Sequence, residues 1–151
     1  MMPRPIRRVR PSSRARLVLC AALAAVSSAV VADNLPVFKP GLWEFKRTVE
    51  DARLGGEPLE LEDRRCADPT AEMRDTSDTL ALQGCKVSPV SRAGNRYSFD
   101  YQCDMQGTRY ESHSVITVES DGAYRAEITG RGGESSSKEV LRARRVGDCP
   151  P

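Results

Sequence analysis

Residues 96–103 read RYSFDYQC, and every second side chain is apolar. Tyr97, Phe99, Tyr101 and Cys103 share one face; Arg96, Ser98, Asp100 and Gln102 share the other. A period of two marks a half-buried strand, because successive side chains point to opposite faces. The period recurs in residues 41–49, where Trp43, Phe45 and Val49 oppose Glu44, Lys46 and Thr48. It returns at Leu59 and Leu61 against Glu60, Glu62 and Arg64, and at Tyr124, Ala126 and Ile128 against Arg125, Glu127 and Thr129. Residues 108–119 are long and β-branched, and residues 138–146 make a last strand. Gly55-Gly56, Gly94-Asn95, residues 104–107, Asp121-Gly122 and Arg131-Gly132-Gly133 supply turns. Asp121-Gly122 is the strongest hairpin signal, since a type I′ turn needs two residues tolerant of positive φ.

One stretch departs from this period. Asp68 is a good N-cap and Pro69 suits the first helical position. The segment to Leu82 has few apolar anchors (Met73, Leu80, Leu82), so one or two weak helical turns lying on a sheet are expected, stopped at Gly84. Residues 85–90 form a short extended piece broken by Pro89. The pattern predicts an all-β fold, an antiparallel meander of six or seven strands with one short helix. One apolar face must curl on itself or be covered. The expectation is a strongly curved sheet, a partial barrel, with the helix near one opening; a β-sandwich is the alternative.

The first 32 residues read differently. Six arginines (4, 7, 8, 10, 14 and 16) and no acid precede an uncharged run over 17–32. A basic segment, a short apolar segment and a small residue at its end describe a secretory signal, cut after Ala32, or alternatively after Ala29. About 16 apolar residues fall short of the roughly 20 that span a bilayer as a helix. Cys20 is a bystander there, because most of the apolar run follows it. The expected organisation is a cleaved signal peptide, 1–32, and a single disulfide-bonded β domain, 33–151, exported to the periplasm with no stable membrane span.

Removing the signal leaves 17 basic and 21 acidic residues, a net charge of −4. The basic pI of the whole chain thus belongs to the signal. No basic stripe with interleaved aromatics remains, so no nucleic-acid partner is expected.

Cys66, Cys85, Cys103 and Cys149 also remain. An even count in a short exported chain reads as a disulfide framework. Zinc knuckles need cysteines two to four residues apart, and the gaps here are 19, 18 and 46. No metal or cofactor is expected. Spacing leaves all three connectivities open. With three Phe, four Tyr and one Trp the core is thin, and a bridge closing a loop of about 20 residues adds about 3 kcal/mol.

Several pieces in order resemble the exported bacterial family catalogued as domain of unknown function 3617. They are Lys39-Pro40-Gly41-Leu42-Trp43-Glu44, Cys66, Cys85-Lys86-Val87 and Gly94-Asn95-Arg96-Tyr97 leading to Cys103. Ser112-His113-Ser114-Val115-Ile116-Thr117, Tyr124 and Gly147-Asp148-Cys149 complete the set. The resemblance implies an envelope protein with β structure and cysteines paired first to second and third to fourth, Cys66–Cys85 and Cys103–Cys149. It implies no activity. Members often carry a Met- and Pro-rich stretch before the first Cys; residues 52–65 here hold no Met.

Trp43 is a candidate floor for a ligand cup, because an indole offers a broad apolar face with one donor, though a Trp in an alternating strand is more often core. Tyr97, Phe99 and Tyr101 form a stripe that reads as a packed sheet face or a pocket lining. His113, the only histidine, has no nucleophile or orienting acid tied to it. Ser135-Ser136-Ser137 lacks the glycines of a nucleophile elbow and reads as a solvated loop. Glu57, Glu60, Glu62 and Asp63 lack the spacing of a calcium loop. Arg142, Arg144 and Arg145 suit an edge strand, blunted by charge. No catalytic constellation is visible and no enzyme is expected. The first functional expectation is a binding module for a small apolar ligand or extended peptide. The second is an interaction protein of the envelope, pairing through an exposed strand edge.

Overall fold

A computed structural model describes residues 34–151. The expected signal peptide and Cys20 lie outside the described residues. Eight strands form one antiparallel sheet: β1 (Gly41–Asp51), β2 (Leu59–Ala67), β3 (Lys86–Val87), β4 (Ser91–Ala93), β5 (Arg96–Met105), β6 (Thr108–Ser120), β7 (Ala123–Gly132) and β8 (Ser135–Gly147). One helix, α1 (Pro69–Leu82), joins β2 to β3. The sheet order is β2-β1-β8-β7-β6-β5-β3, with β4 also on β5. The fold is all-β and the sheet is curved and open, as the alternation requires. Among the described residues there is no second sheet, so the sandwich alternative is set aside.

Strands β5 to β8 form the meander, and β1 returns to pair along β8. Pairing the first strand with the last makes β8 an interior strand. Its arginines therefore blunt no edge, contrary to expectation. Arg142 and Arg144 lie across from Lys46 and Glu44, on the charged face.

Of residues 85–90 only Lys86–Val87 is strand; the pairing with β5 breaks around Pro89, which has no N–H to continue the ladder, and resumes in β4 at Ser91. The two-residue loop Asp121-Gly122 joins β6 to β7 as expected, but neither residue has positive φ. The I′-like turn is Gln106-Gly107 (φ 51° and 80°), between paired Met105 and Thr108. Ser135-Ser136-Ser137 belongs to β8, opposite Gly132, Arg131 and Gly130. Ladder hydrogen bonds hold this stretch although its small side chains carry no apolar alternation.

Asp68 caps α1, its side chain accepting from the Ala71 N–H at 3.1 Å. The helix continues for 14 residues, more than the one or two turns its apolar content predicts. It starts beside β2 at one edge of the sheet and ends beside β3 at the other. Of its residues only Pro69 is buried. Covalent staples stand at both ends. Cys66 on β2 is bonded to Cys149 beyond β8, and Cys85 after α1 is bonded to Cys103 on β5.

This overturns the pairing that the resemblance implied. A 14-residue helix rises about 21 Å at 1.5 Å per residue, and it lies between Cys66 and Cys85. Bonded cysteines need Cα atoms within about 7 Å. The register instead brings Cys66 and the end of β8 to Leu42, from either side of β1. Likewise Lys86 opposite Gln102 sets Cys85 opposite Cys103, with Cα atoms 4.3 Å apart.

Candidate functional site

The cross-strand registers arrange the inner face in rows. Phe45, Ala143, Tyr124 and Val118 make one row; Leu141, Ala126, Ile116 and Tyr97 make the next. Trp43 lies beyond the first row, fully buried, with its Nε1 donating to the Lys39 carbonyl at 3.1 Å. Phe38 packs on Trp43 and Tyr124, with centroids 6.0 and 4.7 Å away. The segment before β1 is held over this end. Thr70 Oγ1 accepts from the Phe38 N–H at 2.9 Å and donates to the Pro36 carbonyl at 3.0 Å. This half of the face is filled.

The following rows are Glu139, Ile128, Ser114 and Phe99, then Asp51, Ser137, Gly130, Ser112 and Tyr101, then Ser135, Gly132, Tyr110 and Cys103. Their floor is made of small side chains. A Cβ on Gly132 would lie 2.3 Å from the Tyr110 ring, so glycine is what lets that ring lie on the sheet. Helix α1 covers these rows thinly. Met73 packs on the core, Ser77 donates to the Met73 carbonyl at 3.1 Å, and Leu80 reaches the last rows. Their spacing of four and three residues is one helical face.

The result is a trough of three linked spaces under and beside α1. A space of about 250 Å³ lies over Phe99, Ile116, Ala126 and Ile128, with Met73 above. A second of about 330 Å³ opens toward β2, past Leu61 and Phe45. A third of about 270 Å³ runs over Gly130, Gly132, Tyr110 and Ser137. Arg47, Glu72, Tyr124 and Leu141 border both of the first two; Tyr101 and Ile128 border the middle and the last.

Charges stand in pairs around the trough. Arg47 pairs with Glu139 at 3.1 Å. Arg65 binds both oxygens of Glu72, at 2.5 and 2.8 Å, meets Asp63 at 3.0 Å, and lies 4.7 Å above the Phe45 ring. The Glu72 carboxylate raises the pKa of the Arg65 guanidinium. Asp51 accepts from Arg53 through both oxygens, which holds its pKa below the ordinary carboxylate value. Burial pushes the Tyr124 phenol up to about 12 and raises Tyr101, the latter opposed by the Ser77 hydroxyl. An apolar floor with neutralised charges at its rim suits an uncharged, elongated guest.

The four aromatic candidates divide. Phe99 and Tyr101 line the trough, with ring centroids 5.4 Å apart. Trp43 is in the filled core, and Tyr97 is buried under the Arg92 guanidinium at 5.2 Å. Ile128, Tyr110, Met73 and Leu141 also line the trough and were not singled out from sequence. Alternation alone places the three strand residues on the inner face; which rows stay uncovered depends on where α1 lies. All four cysteines among the described residues are bonded. Among the described residues no group of three His, Cys, Asp or Glu side chains could hold a metal.

His113 does gain an acid. Asp100 stands directly across from it on β5, with Nδ1 to Oδ1 at 2.7 Å. The contact depends on strand register, which the sequence does not display. The pair is exposed on the outer face, among other cross-strand contacts such as Gln102 with Glu111 and Arg144 with Glu44.

These features define a single-sheet, disulfide-stapled β domain with a helix laid across its concave face. The chain belongs to the family described as Protein of unknown function (DUF3617), which matches residues 38–149. Neither the curated proteins nor the solved structures contain a match to it. Two disulfides are compatible with an oxidising compartment, and among the described residues no helix is long and apolar enough to cross a membrane.

Proposed function

We propose that this chain is an exported periplasmic binding module, without catalysis of its own, that holds a small apolar ligand in the trough beneath α1. The observation that carries the reading is the thinness of the cover. Ile128, Ile116, Ala126 and Phe99 lie under a helix offering Pro69, Met73 and Thr76, and about 250 Å³ stays unfilled between them. With its neighbours, this space reaches the range of roughly 300–1,000 Å³ typical of ligand sites. The arginine-rich segment before residue 17 and the two disulfides support export. The small side chains on the floor, glycines and serines, leave room for a slim molecule.

The test is titration of the purified, oxidised protein with N-phenyl-1-naphthylamine, an uncharged probe whose fluorescence rises in apolar surroundings. Ile128→Trp fills the middle of the trough and should weaken binding at least tenfold, with an unchanged circular dichroism spectrum. Equal binding by a folded Ile128→Trp variant, or none by the wild type, would refute the reading. Native mass spectrometry of the protein recovered without detergent then gives the mass class of any retained guest.

A further inference from the structure

The two edges of the sheet are not alike. At one edge the strands are two and three residues long, interrupted by Pro89. At the other edge stands β2, nine residues long, with no proline inside it. All of its residues except Ala67 are exposed, and Leu59 and Leu61 keep 48% and 47% of their surface in water. Long bare edges are templates for another strand unless they are blunted.

Signs of charge along β2 identify what fits. The strand is acidic in its first part (Glu60, Glu62, Asp63) and basic after it (Arg64, Arg65). Asp63, Arg65 and Glu62 are engaged within the chain, by each other, by Glu72 and by Lys46. Glu60 and Arg64, on the outer face, form no ion pair within 4.0 Å among the described residues. A strand whose two ends carry opposite charge is complementary to itself when reversed.

We infer that β2 is a homodimer edge, pairing antiparallel with β2 of a second copy about a two-fold axis at Glu62. That register sets Glu60 of each copy opposite Arg64 of the other, twice by symmetry, and brings the two Glu62 side chains together on the axis, each paired with its own Lys46 at 2.9 Å. It sets Leu59 opposite Arg65 and Leu61 opposite Asp63 on the inner face, where the aliphatic stem of Arg65 covers leucine. Cys66, tied to Cys149, falls just outside the paired stretch. The two open sheets become one continuous sheet, and the symmetry is closed, so no fibre grows. The inference is independent of the ligand proposal, since the trough need not be occupied for the edges to meet.

Sedimentation velocity on the purified, oxidised protein tests it. The wild type should show a concentration-dependent dimer that weakens as salt rises, because exposed pairs are screened. Glu60→Arg alone places arginine against Arg64, and Arg64→Glu alone places glutamate against Glu60. Each should weaken the dimer by roughly tenfold or more, since like charges directly opposite repel. An equimolar mixture of the two variants should recover wild-type affinity as a heterodimer, because both cross-strand positions then hold ion pairs again, one in the native sense and one with its signs exchanged. Both substitutions are on exposed side chains, and unchanged circular dichroism confirms the fold. A wild type that stays monomeric up to its solubility limit overturns the inference, as does a dimer indifferent to the two variants or not recovered on mixing.

Discussion

Replacing Cys66 and Cys85 together by alanine separates the observed bridges from those the resemblance implied with one chemical count. In the structure each belongs to a different bridge, so Cys103 and Cys149 become free. They stand near opposite ends of a helix about 21 Å long, so they do not re-pair without loss of the native structure. Alkylation without reductant should label two thiols. Replacing Cys85 and Cys103 instead should leave none, with Cys66–Cys149 intact. The energetic cost follows from loop length. The inner bridge closes 18 residues of sequence separation, and chain entropy gives it about 3 kcal/mol. The outer bridge closes a separation of 83, which the same relation puts at about 4.5 kcal/mol. The inner loop is nested in the outer one, which shortens the effective outer loop and trims its value only slightly, because the dependence is logarithmic. Urea unfolding followed by Trp43 fluorescence should move to a midpoint lower by about 1–3 M for the inner pair, using a slope of about 1–3 kcal/mol per M. Zero free thiols in the Cys66→Ala/Cys85→Ala protein would refute the pairing and, with it, the continuous helix between those cysteines.

Three further outcomes are expected. Trp43→Ala removes a fully buried indole ringed by Phe38, Phe45 and Tyr124, and should cost about 3–5 kcal/mol in denaturant unfolding. Gly132→Ala drives a methyl into the Tyr110 ring and should cost about 1–3 kcal/mol, largely relieved by adding Tyr110→Ala; equal instability of the single and double variants would contradict the contact. Tyr124 has a raised folded-state pKa, from 10.0 to about 12, so its contribution is fully present below pH 10 and is lost as pH rises toward 12. Tyr124→Phe should therefore flatten the alkaline loss of stability measured by urea midpoints from pH 9 to 12, and an unaltered alkaline limb would count against burial of the phenol.

Most of the strands can be read directly from the chain. Trp43 and Phe45, Tyr97 to Cys103, and Tyr124 to Ile128 advertise their inner face by alternation alone. The turns at Gln106-Gly107 and Asp121-Gly122 lie where small or flexible residues stand. Where the reading stopped, the reason was length or chemistry. Ser135-Ser136-Ser137 is strand, but serine carries no apolar signal. The helix carries Asp68 and Pro69 at its start but few apolar anchors afterward, so its full extent was underestimated. The cysteine pairing is a separate matter: spacing left it open, the resemblance implied Cys66–Cys85 and Cys103–Cys149, and the structure bonds Cys66 to Cys149 and Cys85 to Cys103.

The sequence by itself determined the period of the strands, the places where the chain reverses, the even complement of cysteines outside the first 32 residues, and the family. Each is a local quantity, or a count, and is carried by neighbours one to four positions apart. Only the tertiary structure decided that β1 lies beside β8, that Cys66 meets Cys149 and Cys85 meets Cys103, and that Trp43 and Tyr97 are packed while Phe99 and Tyr101 border open space. Those outcomes depend on which faces are covered when the whole sheet curls and α1 is pinned across it. That choice is made by burial and ring closure between residues as far apart as 83 positions, and no local pattern records it.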